Sequence, residues 1–297
     1  MGSGAILGTA IAMPATPVSS SLSRLQQLQA SPRMPVLFIG HGSPLNVIQP
    51  NEFRPRWEAL GREFGVRWPR PQLILCISAH WLTRGWWLTG MVQPRTIHDF
   101  GGFPRALFEQ QYPAPGAPQV ARAWAEELRQ PSTQGPLGVD DAQWGYDHGC
   151  WSVLKPMFPQ ADIPVLQLSM DYSRPPAEHY ALGQQLRALR ERGVLLVGSG
   201  NIVHNLAALR REAPSHQAYD WVIEFDQRIQ AQIAQGRLGQ LQDFLQLGEL
   251  ARLAHPTHDH FLPLLYAAGA ALPGEPAQFF NDSFQGASIS MRSVIWT

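Results

Sequence analysis

The segment "MPVLFIGHGSPLNV" (residues 34–47) joins a run of apolar residues to a histidine that stands between two glycines. The run is continuous rather than alternating, which predicts a strand that is covered on both faces. Three further runs have the same length and character, namely "QLILCISA" (72–79), "IPVLQLSM" (163–170) and "GVLLVGSG" (193–200). Together the four runs predict the centre of a mostly parallel sheet.

Amphipathic segments lie between these runs. Apolar residues recur at three- and four-residue spacing in 117–130, 176–193 and 219–236, which predicts helices. The apolar segment 259–272 predicts a buried helix, and the chain closes on a predicted strand, "SISMRSVIWT". With no internal repeat and no long linker, this order predicts a single α/β domain, its central sheet flanked by helices.

Composition excludes several classes of protein. Lys+Arg and Asp+Glu number 23 each, so the basic excess that is typical of a nucleic-acid-binding protein is absent. No apolar run reaches the ~18 residues that span a bilayer. The two cysteines, Cys76 and Cys150, do not suggest a disulfide framework, so we expect a reducing, cytoplasmic compartment. The oligomeric state stays open.

The first 33 residues differ from the rest in composition. They are small, rich in serine and proline, and lack acidic residues. The stretch "AILGTAIAMPA" resembles the apolar core and cleavage site of a secretory signal, but the positively charged start is missing. We therefore interpret 1–33 as a flexible leader, with export as the alternative, and 34–297 as the folded domain.

Three histidines occupy comparable positions. His41, His80 and His204 each follow a predicted strand. In open α/β sheets, ligands bind outside the carboxyl ends of the strands. Imidazole is a common ligand of zinc, iron and copper, and it is the usual acid or base near neutral pH. The pattern predicts a metal site at the strand ends; the alternative is three separate histidines that are hydrogen-bonded in loops.

Other histidines are harder to assign. "AHPTHDHFLPLL" (254–265) holds His255, His258 and His260, and their spacing alone does not choose a ligand. His148 lies just before a predicted helix, whose amino end lowers the pKa of an imidazole, whereas Asp147 beside it acts in the opposite direction. The segment 96–118 is rich in glycine, proline and aromatics, and its length suggests a functional loop that contains His98.

Seven sequence blocks together resemble one enzyme family. In chain order they are "LFIGHGSP", "SAHW", "IHDFGGFP", "YPAPG", "WGYDHGCWSVL", "GSGNIVHNL" and "HFLPLLYAAGA". They resemble the class III extradiol ring-cleavage dioxygenases, and within them the DOPA 4,5-dioxygenase branch. The resemblance runs from about Met34 to the C-terminus, so it identifies 34–297 as the catalytic domain.

The resemblance implies a mononuclear non-haem metal site. By position, His41, His80 and His260 match the three metal ligands of the family. His204 matches the histidine that acts as the base, with membership of the metal shell as the alternative, and His148 matches a second acid/base histidine. The implied metal is Fe(II), with Zn(II) as the alternative in the isolated protein. Fe(II) carries redox chemistry that zinc lacks.

The resemblance also implies the substrates and the pocket. They are O2 and a small aromatic diol, DOPA-like or caffeate-like, whose ring is opened to a semialdehyde. His98, Phe100, Phe103 and Trp81 would then shape an aromatic pocket. Two other hypotheses use the same fold. One is a zinc hydrolase in which His204 handles a metal-bound water. The other is a non-enzymatic binding protein, which we expect to have lost some of these histidines.

Overall fold

The structure, a computed structural model, describes residue 1 and residues 28–297. The strands in this part of the chain are β1 (Val36–Gly40), β2 (Leu73–Thr83), β3 (Trp87–Thr89), β4 (Gly138–Asp140), β5 (Val165–Asp171), β6 (Val194–Gly200), β7 (Ala277–Phe280), β8 (Phe284–Gln285), β9 (Ile289–Ser290) and β10 (Ser293–Trp296). They form an eight-stranded sheet, in the order β4-β3-β5-β2-β6-β1-β10-β7, and a separate pair, β8-β9.

The four continuous apolar runs form the middle of the large sheet. Strands β5, β2, β6 and β1 lie side by side and pair in parallel. The outer strands are mixed, because β3 runs antiparallel to β5, and β10 runs antiparallel to both β1 and β7. The predicted single α/β domain with a mostly parallel central sheet is confirmed.

Helices cover both faces of the sheet. The helices are α1 (Arg54–Glu63), α2 (Arg105–Phe108), α3 (Pro118–Glu127), α4 (His148–Met157), α5 (Pro176–Leu186), α6 (Asp220–Ala234), α7 (Glu249–Ala254) and α8 (Leu262–Ala270). Predicted helices 117–130, 219–236 and 259–272 correspond to α3, α6 and α8. The fourth, 176–193, is α5 followed by a 3-10 turn that ends at Gly193 with φ 69°.

Residues of β1 show why its apolar run is continuous. Val36 and Phe38 pack into a cluster on one face of the sheet, whereas Leu37 and Ile39 pack into a cluster on the other. All four are completely buried. A strand whose two faces are both covered needs apolar side chains at every position, which explains the absence of alternation.

The two glycines beside His41 are required by packing and backbone geometry. A Cβ on Gly40 would lie 2.6 Å from the carbonyl oxygen of Met291, closer than side chains approach. Gly42 has φ 56°, in the left-handed region that favours glycine. The chain can therefore turn sharply at the end of β1 only because these positions lack side chains, and this turn fixes where His41 emerges.

The predicted leader lies for the most part outside the described residues. Of its last residues, the amide of Gln29 donates to the Gln72 side chain at 3.0 Å, and that of Ser31 donates to the carbonyl of Glu191 at 2.9 Å. Within the described part of the chain, every helix is too short or too polar to cross a bilayer.

Candidate metal centre

Three histidines from distant parts of the sequence meet at one edge of the sheet. His41 follows β1, His80 lies in β2, and His260 precedes α8. A nitrogen of each lies within 4.8 Å of a nitrogen of the other two, so the three could hold one metal ion. The Nε2 atoms of His41 and His80 are 3.3 Å apart. Of the three histidines at predicted strand ends, His41 and His80 meet here, and the third member of the group is His260 rather than His204.

His80 reaches this point from inside a strand. The prediction that β2 ends at residue 79 was wrong, because the strand continues to Thr83. Its register against β5 shifts between Ile77 and Leu82. Such an irregularity re-aims side chains, and it lets a strand continue past the sheet edge while presenting His80 to the site.

Oxygen atoms lie against Nδ1 of two of the three rings, those of His41 and His260. The hydroxyl of Ser199 donates to the carbonyl of Gly149 at 2.6 Å, so it must accept from Nδ1 of His41, 3.0 Å away. Nδ1 of His260 lies 2.5 Å from a carboxylate oxygen of Asp259. Because these contacts occupy Nδ1, the Nε2 lone pairs of His41 and His260 are free to bind a metal ion.

The same rings are held in the neutral form. Burial lowers the pKa of His41, His80 and His260 well below the usual value, and neighbouring histidines lower it further. A metal ion binds the neutral imidazole, so the depressed pKa favours metal binding at neutral pH. Three neutral, preoriented imidazoles fit a divalent ion such as Fe(II) or Zn(II).

Only one histidine of the 254–265 segment joins this group. Nε2 of His255 lies 2.7 Å from the carbonyl oxygen of Ile202, in the interior. His258 stacks on Tyr172, with ring centroids 4.4 Å apart. His260 alone points towards His41 and His80, which the sequence spacing could not decide.

Two more histidines flank the group. The ring of His204 lies parallel to that of His260, 3.5 Å from it, and burial lowers its pKa to about 4. His204 does not share the three-nitrogen arrangement among the described residues. On the other side, the ring of His148 lies 3.8 Å from that of His80. The two predicted acid/base histidines are therefore both next to the candidate metal centre.

Asp99 is a site residue that the sequence analysis missed. Its Oδ2 lies 2.9 Å from Nδ1 of His148 and 3.4 Å from Nδ1 of His80. Its Oδ1 accepts the backbone N–H of His148 at 2.9 Å. Burial raises the pKa of Asp99, but the two histidines outweigh burial and lower it to about 2. A carboxylate next to His98 in a loop already judged functional was the available signal.

Asp147, the sequence neighbour of His148, has a different partner set. It caps α4 by accepting the N–H of Cys150 at 3.1 Å, and it accepts the hydroxyl of Ser78 at 2.6 Å. Burial raises the pKa of its carboxyl, and the nearby charge of Asp99 adds to the rise. Asp147 thus fixes the start of α4, while Asp99 provides the carboxylate oxygen next to Nδ1 of His148.

The histidines line a cavity of about 590 Å³. Phe100 and Phe103 form an aromatic wall on the side of His148. A cleft of similar volume, about 580 Å³, lies against α1 and contains no histidine. The remaining walls of the histidine-lined cavity are aliphatic or polar, and they include Leu206, Leu209, Ile289, Ser43, Asn46, Gln49, Gln285 and Arg211.

Two predicted pocket residues do not line this cavity. His98 lies behind the wall, where its Nε2 is 2.9 Å from the Gln110 carbonyl oxygen and its ring is 5.7 Å from Phe100. Trp81 stacks on Trp144 and lines a separate surface cavity next to β4. Any contribution of His98 and Trp81 to the site is therefore made through their neighbours.

The fold and the site together define the class of protein. It is an α/β domain in which three imidazoles that could hold one metal ion lie beside a cavity with an aromatic wall. The sequence model of one protein family, "Catalytic LigB subunit of aromatic ring-opening dioxygenase", matches residues 36–294. The chain belongs to this family.

Individual relatives agree with this assignment. The chain is 44% identical over 270 residues to a "4,5-DOPA dioxygenase extradiol" of Escherichia coli K12, covering 90% of this chain and 96% of that protein. A Beta vulgaris protein of the same name is 34% identical and covers 88% of this chain and 95% of its own. A crystal structure of an uncharacterized E. coli K12 protein superposes with a TM-score of 0.75 at 40% identity, covering 89% of this chain and 99% of its own.

These findings confirm the predicted class of enzyme. The chain is an aromatic ring-opening dioxygenase of the class III extradiol type. Its reaction therefore takes an aromatic substrate and O2, in agreement with the sequence analysis.

Proposed function

We propose that this enzyme is metal-dependent and opens the ring of a catechol, with Fe(II) as the working metal. His41, His80 and His260 hold the ion, and His204 and His148 move protons. The observation that carries this proposal is the convergence of three neutral imidazoles. Three ligands on one side of an ion leave coordination positions for a substrate.

Iron(II), when bound there, supplies the redox chemistry that reaction with O2 requires. The overall reaction breaks one ring C–C bond next to the diol and adds both atoms of O2. The product is an open chain with one aldehyde and one carboxylic acid. Atoms and electrons balance without a further reductant, so the proposed reaction needs no second cofactor.

His204 acts as the base in this proposal. Burial lowers the pKa of His204 to about 4, so its imidazole is neutral at pH 7. Its free nitrogen lone pair is the group that takes a proton from a catechol hydroxyl in this proposal. His148 acts from the opposite side, where Nδ1 faces the Asp99 carboxylate. Asp99 accepts the backbone N–H of His148 and lies beside its ring, so in this proposal it positions His148 to exchange protons with an oxygen of the substrate.

The cavity wall binds the aromatic ring. Phe100 and Phe103 are partly buried and meet edge to face, with ring centroids 5.3 Å apart. His98 supports Phe100 from behind. The role of Trp81 in this proposal is indirect. Trp81 stacks on Trp144, which donates its Nε1–H to Asp147, the residue before His148, at 3.2 Å.

The substrate in this proposal is a catechol that resembles DOPA or caffeate. Its support is the activity for which several relatives are named, that of a 4,5-DOPA dioxygenase. The experiment is anaerobic reconstitution with Fe(II), mixing with DOPA, caffeate and unsubstituted catechol, and admission of air. We expect O2 uptake and a yellow ring-opened product from at least one diol.

Two controls make this experiment decisive. The Zn(II)-loaded protein should bind a catechol without consuming O2, and His41→Ala should lose both bound metal and activity. Lack of turnover of every catechol by Fe(II)-loaded protein would contradict the proposal. Hydrolysis of esters or amides by the Zn(II) form would instead support a hydrolase.

We also propose that the enzyme works in the cytoplasm, with 34–297 as its catalytic domain and 1–33 as a leader. Cys76 and Cys150 are buried and unbridged, which suits a reducing compartment. A chain that starts at Met34 should keep full activity in this proposal. Recovery of the processed protein outside the cytoplasm would contradict it.

A further inference from the structure

The cavity over the candidate metal centre carries two fixed charges of opposite sign. Asp99 is the one carboxylate and Arg211 the one guanidinium among its described lining residues. Asp99 faces His148 and His80, so its charge has partners within the protein. Arg211 is exposed, and no described residue makes a hydrogen bond, ion pair or ring contact with its side chain.

The backbone around Arg211 is anchored. The amide of His204 donates to the carbonyl of Ala254 at 3.0 Å. The amide of Arg210 donates to the carbonyl of Gly286 at 2.8 Å, and its own carbonyl accepts from Ala213 across the turn that contains Arg211. One short, fixed segment therefore carries both a histidine of the site and an arginine at the cavity wall.

The surface between these two residues is apolar. Leu206 and Leu209 line the cavity on the same segment, after His204 and before Arg211. Three polar residues of the lining are already engaged with one another: Gln285 accepts from the amide of Ser43 at 2.6 Å and donates to Asn46 at 2.9 Å. A substrate side chain that extends from the catechol ring past these leucines therefore reaches one charged group without a described partner, the guanidinium of Arg211.

We propose that Arg211 binds an anionic group, such as a carboxylate, at the end of the substrate's side chain. The enzyme would then prefer catechols with an acidic side chain over neutral ones. Guanidinium and carboxylate form paired, charge-assisted hydrogen bonds, a recognition that lysine or an amide reproduces poorly. This inference rests on the proposed function, because it assumes that the catechol ring lies at the histidines.

The experiment compares two diols that differ in the end group. 3,4-Dihydroxyphenylpropanoate and 4-ethylcatechol are given to the Fe(II)-loaded wild type, Arg211→Gln, Arg211→Lys and the control Arg210→Gln. Arg210 is a matched control, because its guanidinium lies 5.9 Å from the Tyr219 ring and it does not line the cavity.

We expect the ratio of kcat/KM for the acid over that for 4-ethylcatechol to fall about tenfold in Arg211→Gln, mainly through KM. This is the lower end for a charge-assisted bond at a site open to water. Arg211→Lys should retain part of the preference, and Arg210→Gln should match the wild type. The wild-type preference should also weaken with added salt. An unchanged ratio in Arg211→Gln would overturn the inference.

A binding measurement separates this inference from the proposed function. Calorimetry with Zn(II)-loaded protein, which cannot turn over a catechol by redox chemistry, measures the affinity for the same two diols. Tighter binding of the acid that Arg211→Gln abolishes would support the inference even if no diol were turned over. Equal affinities for both diols in the wild type would overturn it, even if the Fe(II) enzyme proved active.

Discussion

The hydroxyl of Ser199 fixes the protonation pattern of the His41 ring. Ser199 gives its only hydrogen to the carbonyl of Gly149, and it can therefore only accept from Nδ1 of His41. This leaves Nε2 of His41 with a free lone pair, 3.3 Å from Nε2 of His80. Ser199 does not line the cavity, yet its hydroxyl decides which atom of His41 can bind a metal ion.

Replacing Ser199 with alanine should weaken metal binding. Without the acceptor, the His41 ring can rotate or take the other tautomer, and loss of such a partner typically costs 10–100-fold in metal affinity. The affinity of the variant for Zn(II), measured by chelator competition, should fall by about that factor. Ser169→Ala is the control, because Ser169 is equally buried and bonds Thr83 rather than a histidine. Equal affinities in wild type and Ser199→Ala would contradict the role.

Removing the charge of Asp99 should lower kcat more than it weakens the binding of the substrate. Asp99→Asn keeps an oxygen that accepts the His148 amide but loses the carboxylate that faces Nδ1. We expect kcat to fall about 100-fold, the lower range for a misaligned acid/base group, with KM changed by less than threefold. Asp282→Asn, an exposed position, controls for the loss of one negative charge. If Asp99→Asn lost bound metal in proportion to its loss of kcat, Asp99 would act through the metal ligand His80 rather than through His148.

Much of this fold could be predicted because the central strands are buried on both faces. Their continuous apolar runs mark the strands directly, and the histidines next to three of them indicate one edge of the sheet. Short outer elements such as β3 and β7 carry no comparable pattern. The length of β2 could not be read either, because its last residues leave the regular pairing after Ile77.

The site was only partly predictable because some of its members are defined by contacts alone. Nothing local distinguishes His260 from His255 or His258; the choice depends on Ile202 and Tyr172, which are remote in sequence. Asp99 belongs to the same type of case, since its partners are residues of β2 and α4. Sequence patterns report burial and chain direction well, but they do not report which rings face each other across a cavity.

Alanine variants of His204 and His41 should distinguish a role in proton transfer from a role in metal binding. His204→Ala should keep about the wild-type amount of bound metal and lose 10²–10⁴-fold in kcat, because its ring stacks on His260 without joining the three-nitrogen group. His41→Ala should lose the metal itself. Elemental analysis of both variants, alongside their kinetics, tests this. If the metal content of His204→Ala fell to that of His41→Ala, His204 would belong to the metal shell.

Gly149 gives the site its space at the start of α4. A Cβ there would lie 2.3 Å from the hydroxyl oxygen of Ser78 and 2.8 Å from Cδ2 of His80. Inside a helix, alanine is more favourable than glycine by about 1 kcal/mol in the free energy of folding. Gly149→Ala should not gain this stability, and it should bind Zn(II) more weakly, because the added methyl group would collide with the His80 ring. Gly239→Ala, whose Cβ would approach Tyr180 no closer than 3.9 Å, is the control. Unchanged metal affinity in Gly149→Ala would show that the His80 ring can shift freely.

A buried ion pair joins the 3-10 turn after α5 to the segment before β7, close to the start of β1. Arg190 and Glu275 pair with side chains that are 1% and 4% exposed, and Nε of Arg190 donates to the carbonyl of Met34 at 2.8 Å. Burial raises the pKa of Glu275, but the hydrogen bonds from Arg190 and from the Leu272 amide outweigh burial and lower it.

Glu275→Gln should therefore destabilise the fold in a pH-dependent way. At pH 7 we expect a loss of about 3 kcal/mol in the free energy of unfolding, because the variant leaves the Arg190 charge buried and unpaired. A carboxyl whose pKa is depressed in the folded state stabilises above its unfolded pKa, about 4.5, and this contribution is lost as pH falls through the folded value. The difference between wild type and variant in urea unfolding should thus shrink below about pH 4.5. Glu249→Gln, in an exposed pair with Arg252, should show no measurable effect at either pH. A difference that stayed constant from pH 7 to pH 3 would mean that Glu275 stabilises the fold by packing rather than by its charge.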